Sequence, residues 1–139
     1  MDRVESESGC EMMKITLPFP PSVNRYYRSP RSGPLAGRTM ISEEARKYRA
    51  AVCALVAESK TSGPLQGLLR VVVEVYVPDR RKRDLDNLHK GILDSLTHAG
   101  VWGDDSQIDD LRIYRARDQS GALIIGGMVK VSVELIESA

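Results

Sequence analysis

At 139 residues the chain has room for one compact domain, and 42% hydrophobic residues against 28% charged ones give that domain a real core. A net charge of +1 excludes a globally basic nucleic-acid binder, so any attraction to a polyanion rests on local charge. Cys10 and Cys53 lack metal-type spacing, no N-terminal run resembles a signal peptide, and no window approaches the ~18 apolar residues of a membrane span, which predicts a reduced, cytoplasmic protein with free thiols.

Residues 1–12 are mostly polar and acidic, without hydrophobic period, and read as a flexible leader to a domain over 13–139, with Met12 and Met13 as alternative starts. The run K-I-T-L at Lys14–Leu17 predicts a first strand, stopped by Pro18, Pro20 and Pro21. Asn24, Arg25, Tyr26, Tyr27 and Arg28 then crowd into five residues. They offer amide, guanidinium and stacking groups suited to DNA, although taken alone they read first as an ordinary loop whose tyrosines cap the core edge. Residues 29–38 hold two Pro, two Gly and two Arg and predict a mobile cationic loop.

Ser42 before Glu43 and Glu44 marks a helix start, with the helix running to about Ser59. Ala45, Tyr48, Val52, Leu55 and Val56 form its apolar stripe, while Arg46, Lys47 and Arg49 are expected in solvent and Glu43 is spaced to pair with Lys47. L-L-R-V-V-V-E-V-Y-V alternates so that Leu69, Val71, Val73, Val75 and Val77 share one face, as in a central strand. Pro78 ends it and delivers four cations, Arg80, Arg81, Lys82 and Arg83, directly into Asp84 and Asp86 at the mouth of a second helix from about Asp86 to Ala99. Two strands follow, around Ile108–Arg117 and Met128–Ile136, separated by a D-Q-S-G-A turn. The order β-α-β-α-β-β predicts a single α+β domain with a mixed sheet and two helices on one face. The absence of G-x-x-x-x-G-K-S, G-x-G-x-x-G and zinc-ligand spacing argues against a nucleotide cofactor or zinc.

Cations beside a D-x-D pair are the equipment of a metal-dependent enzyme acting on a polyanion. In an extended stretch Asp84 and Asp86 would point the same way. The competing structural reading makes Asp86 an N-cap and sets Asp86, Lys90 and Asp94 in a salt-bridge ladder, with Asp104 and Asp105 as turn residues. His89 and His98 have no spaced partner and read as surface or edge residues.

R-R-K-R-D-L-D-N-L-H-K, then D-S-L-T-H-A-G-V-W-G-D-D-S-Q-I, together with L-P-F-P-P-S-V-N-R-Y-Y-R, closely resemble the RusA family of Holliday junction resolvases over roughly residues 14–136. The resemblance implies that Asp84, Asp86 and Asp105 are catalytic carboxylates binding Mg²⁺, with Mn²⁺ as a substitute, and that Lys90 is the essential lysine. Asn24, Arg25, Tyr27, Arg28 and Arg80 to Arg83 are then the expected DNA-binding residues. The implied reaction is metal-assisted hydrolysis of phosphodiesters in two opposed strands of a four-way junction, which calls for a homodimer by the substrate's symmetry. Competing readings are a non-catalytic DNA-binding module, which leaves three acids idle beside a polyanion, and a D-x-D glycosyltransferase, which needs more chain than this. A helix from Asp86 to Ala99 is about 20 Å long, so Asp105 emerges at the end away from Asp84 and Asp86. Either the helix is shorter or bent, or Asp105 reaches the Asp84/Asp86 pair of the other subunit, and the hypothesis taken is a site shared across the dimer.

Overall fold

Alternating branched residues over Leu68–Tyr76 build the central strand, with Leu69, Val71, Val73 and Val75 fully buried and the intervening side chains exposed or half-buried. The computed structural model describes residues 10–59, 63–117 and 124–137. Its strands are β1 (Cys10–Pro18), β2 (Tyr27–Arg28), β3 (Met40–Ile41), β4 (Leu68–Tyr76), β5 (Ile108–Arg115) and β6 (Met128–Glu137). Its helices are α1 (Val23–Tyr26), α2 (Glu43–Glu58) and α3 (Asp86–His98), with a 3-10 turn at Asp105–Gln107.

The main sheet runs β1-β6-β4-β5, and β2 and β3 form a separate antiparallel ribbon. β6 is antiparallel to both β1 and β4, whereas β4 and β5 are parallel because α3 carries the chain back between them. The α+β class and the mixed sheet match expectation. The one-turn α1, the ribbon and the 3-10 turn do not, since elements of two to four residues are too short to leave a period. β1 starts three residues inside the expected leader. β5 stops at Arg115, two residues short of the expected end, and the D-Q-S-G-A turn lies outside the described residues.

One face of the sheet packs on the helices, joining the buried valines of β4 and β6 to Val52 of α2 and to Leu88, Ile92 and Leu96 of α3 in one core. Each such side chain contributes about 1.5–3 kcal/mol when fully buried. The opposite face is polar. Arg70 stands in register between Asp110 of β5 and Glu134 of β6 and donates to both, at 2.8 and 3.0 Å. Ser42 caps α2 as expected, its Oγ accepting from Ala45 N at 3.1 Å, and Glu43 lies 3.7 Å from Lys47.

α3 meets α1 at Gly91. A Cβ there would stand 2.9 Å from Cδ2 of Tyr26, a ring with no exposed surface. Gly→Ala inside a helix ordinarily stabilises by about 1 kcal/mol, but here the ring cannot withdraw. Gly91→Ala is therefore expected to destabilise by about 1–3 kcal/mol, the cost of overpacking, as read by urea denaturation. A stabilised variant would show that the contact yields freely.

Candidate active site

Pro78 releases the chain from β4, and residues 79–85 cross the end of the sheet before α3 begins. Asp79 anchors this crossing. Arg83 donates to both its oxygens at 2.7 and 3.0 Å, and the backbone N–H of Arg81 donates at 3.0 Å. The Arg83 bonds, helped by that N–H, hold the Asp79 carboxyl well below the usual carboxylate range. The Arg83 side chain is only 14% exposed and its guanidinium lies 5.3 Å from the Phe19 ring centroid. Within the cation run Arg83 is thus turned inward as a strut, while Arg80, Arg81 and Lys82 are exposed, Arg81 lying 3.4 Å from Asp79.

Leu85 takes helical dihedrals and Asn87 N donates to Asp84 O at 3.1 Å, so the D-x-D is wound into a turn. The extended geometry expected for Asp84 and Asp86 does not hold. Nor does Asp86 cap the helix: it lies in the first turn, where the dipole favours an acid, and the N-cap Leu85 offers no side-chain acceptor.

The Asp86–Lys90–Asp94 ladder of the competing structural reading is also absent. Asp94 pairs instead with Arg49, whose Nε donates at 3.1 Å and whose second nitrogen forms a shorter contact. Tyr26 completes the group, its hydroxyl donating to Asp94 at 2.7 Å, accepting from Arg49 Nε at 2.9 Å and lying 3.1 Å from the buried Ser95 Oγ. Burial acts against the Arg49 charge, yet the bonds to Asp94 and Tyr26 outweigh it and raise the guanidinium's pKa. Arg49, expected in solvent, is thus a tie between α2, α1 and α3. Lys90 has no ion pair among the described residues and places Nζ 5.6 Å from the Tyr27 ring centroid. Burial raises the Tyr27 phenol's pKa, and the charges of Asp94 and Asp105 push the same way against that of Arg49.

Asp105 follows Asp104, which caps the 3-10 turn by accepting from Ser106 N at 3.0 Å. Gln107 secures the turn with its whole amide. Oε1 accepts from Gly103 N and Asp104 N at 2.9 and 3.1 Å, and Nε2 donates to the carbonyls of Leu65 and Gly67 at 2.9 and 3.1 Å. Trp102, 1% exposed, donates to Thr97 Oγ1 at 2.6 Å and fixes the approach.

Eight acids fall between residues 79 and 110, all aspartates. Protein donors engage Asp79, Asp94, Asp104 and Asp110. Among the described residues Asp84, Asp86, Asp105 and Asp109 have no such partner, and all four are exposed. No three His, Cys, Asp or Glu side chains among the described residues gather closely enough to hold one metal ion. Asp84 lines both a cleft of about 500 Å³ and a groove of about 890 Å³, and the groove also takes in Arg25, Lys47 and Asn87. The fold therefore brings Arg25 to the Asp84 segment. Asn24 and Arg28 are exposed nearby in sequence, and Tyr27 is half-buried between Tyr26, 4.8 Å away centroid to centroid, and Lys90. Gly91 inside a helical pattern was a readable sign of close packing, whereas nothing local marked Arg49 and Asp94 as partners.

The unpartnered carboxylate of Asp84 beside the exposed cations Arg80 and Lys82 is a polyanion-facing arrangement of the kind that metal-dependent nucleases carry. A profile of the family described as Endodeoxyribonuclease RusA matches residues 18–126. The crossover junction endodeoxyribonuclease of Enterobacteria phage 82 is 46% identical over 101 residues, covering 73% of this chain and 80% of that protein. Its counterpart in Escherichia coli K12 is 45% identical over the same shares, and that of phage HK97 is 40% identical over 90% of this chain and 96% of its own. The chain belongs to the RusA family of endodeoxyribonucleases.

The Asp79–Arg83 strut has a pH signature. A carboxyl whose pKa is depressed by folding stabilises the fold above its unfolded value, about 3.9, and ceases to do so as pH falls through the folded value. The stability advantage of the wild type over Asp79→Asn should hold steady from about pH 6 to 8 and shrink progressively below about pH 4. Urea unfolding across that range checks it, and an advantage that persists in acid would assign the stabilisation elsewhere.

Proposed function

We propose that this protein is a divalent-metal-dependent endonuclease that resolves four-way DNA junctions as a homodimer, working in the cytoplasm where that DNA lies. The observation that carries the reading is the division of the aspartates: Asp79, Asp94, Asp104 and Asp110 are held by protein donors, while Asp84, Asp86, Asp105 and Asp109 are left open to solvent, Asp84 in one cleft with Arg80, Arg81 and Lys82. Relatives named crossover junction endodeoxyribonuclease supply the substrate class. A non-catalytic DNA-binding module gives unpaired carboxylates beside phosphate no task.

The donor set fits Mg²⁺, with Mn²⁺ as a substitute, since hard carboxylate oxygens free of protein partners suit an ion that takes one or two carboxylates and completes its shell with water and phosphate. Asp84 and Asp86 would hold it, joined by Asp105. When bound, the ion would lower the pKa of an attacking water and offset charge on the phosphate. The chain's own groups do the remainder. Lys90, steered by the Tyr27 face, presents a fixed positive charge to the scissile phosphate, and the exposed cations hold flanking phosphates. Asp105 lies beyond the C-terminal end of α3 and Asp84 before its N-terminal end, and no triple cluster forms within the described residues, which supports a site completed by the partner subunit's Asp105.

Asp84→Asn and Asp86→Asn should each abolish cleavage of a synthetic four-way junction in Mg²⁺ while leaving binding intact or tighter, because each removes a ligand and a charge repelling phosphate. Wild-type turnover by either variant refutes the assignment.

Subunit mixing then locates the third carboxylate. If the site is shared, Asp84→Asn and Asp105→Asn subunits place both lesions in one site of the heterodimer, and nicking of one strand returns. Confirmed heterodimers that stay inactive exclude the shared arrangement.

A further inference from the structure

The cleft and the groove share a wall. Arg81, Lys82, Arg83 and Asp84 line both, so this short ridge separates two hollows at one end of the sheet. On the cleft side stand Arg115 and Arg117, delivered by β5 to the same end as the cation run because β4 and β5 are parallel, with Arg115 in register with Val75. Ala116 N donates to Val75 O at 2.9 Å and continues the pairing past the strand. Arg115 also donates to the carbonyl of Arg83, tying the end of β5 to the residue before Asp84. Arg117 is exposed, and its guanidinium has no protein partner among the described residues.

The cleft's charge is one-sided. Of its two acids, Asp79 is already consumed by Arg83 and Arg81, which leaves Asp84 facing Arg80, Lys82, Arg115 and Arg117. Such a hollow suits a phosphate chain, for which guanidinium forks are geometrically matched partners.

On the nuclease reading above, we propose that the cleaved strand crosses the ridge at Asp84: phosphates on one side of the scissile linkage lie in the cleft against Arg117 and Arg115, and those on the other side lie in the groove against Arg25 and Lys47. The groove also takes in Glu44, 3.9 Å from Arg25, and Lys47 lies 3.7 Å from Glu43, but these are exposed pairs that a phosphate can displace, and the groove's cations outnumber its acids. Two cationic hollows that share Asp84 and its neighbours give the strand a continuous path with the cut at its crest.

Ethylation interference on a four-way junction, bound without metal, tests the path, with cut positions mapped separately in Mg²⁺. Arg117→Ala should abolish interference at phosphates on one side of the cut and lower the slope of log K against log salt by about one unit. Lys47→Ala should do so on the other side only. Arg46→Ala, an exposed cation of α2 outside both hollows, should change neither. Arg117 and Lys47 variants that affect the same phosphates, or an Arg117→Ala variant that leaves footprint and slope unchanged, overturn the proposal. A wild type that cleaves without this partition overturns the path alone, and one that shows the partition but never cleaves retires the nuclease reading and leaves the path standing.

Discussion

The site depends on one close approach, the Tyr26 ring laid against the bare backbone of Gly91. Nothing larger than hydrogen fits between them, and the ring's hydroxyl reaches past the helix to Asp94, Ser95 and Arg49. That contact sets the one-turn α1 on the flank of α3, and with it Arg25 in the groove and Tyr27 beneath Lys90. Hydrogen bonds to charged groups contribute on the order of 1.5–3 kcal/mol. The Arg49–Asp94 tie supplies two of them at the spot where three helices meet. A segment otherwise short enough to fray is thereby made part of the core.

A second constraint is topological. Parallel pairing of β4 and β5 sends both strand ends to one edge, so cations from sequence positions more than thirty apart converge there. The opposite strategy governs the acids. Arg70 holds Asp110 and Glu134 across the polar sheet face, Arg83 holds Asp79 and Arg49 holds Asp94. Pairing these carboxylates reduces the repulsion a phosphate chain meets.

Much of the scaffold was legible because its signals are local. The period of two over Leu68–Tyr76 marked the central strand, Ser42 with its acids marked α2, and Val129, Val131 and Val133 marked the inward face of β6. The cation run and the aspartates were legible as a cluster in sequence, and their motifs carried the family. What composition could not reveal was partnership. Arg49 and Asp94 are 45 positions apart, and each has a plausible nearer partner, Arg49 in water and Asp94 in Lys90. Arg83 looked like its three neighbours until the fold placed Asp79 and Phe19 beside it. Arg115 and Arg117 read as the end of a strand, since the parallel register that brings them to Asp84 is a property of the whole sheet.

Gln107 spends both ends of its amide on backbone, accepting from the turn before Asp105 and donating to the chain that enters β4. Oxygen and nitrogen are therefore not interchangeable at this position, and a carboxylate in their place would turn an acceptor toward two carbonyls. Exchange of that amide for a carboxylate, a change of a single mass unit, would unfasten the Asp105 turn from the chain that enters β4 without touching an aspartate.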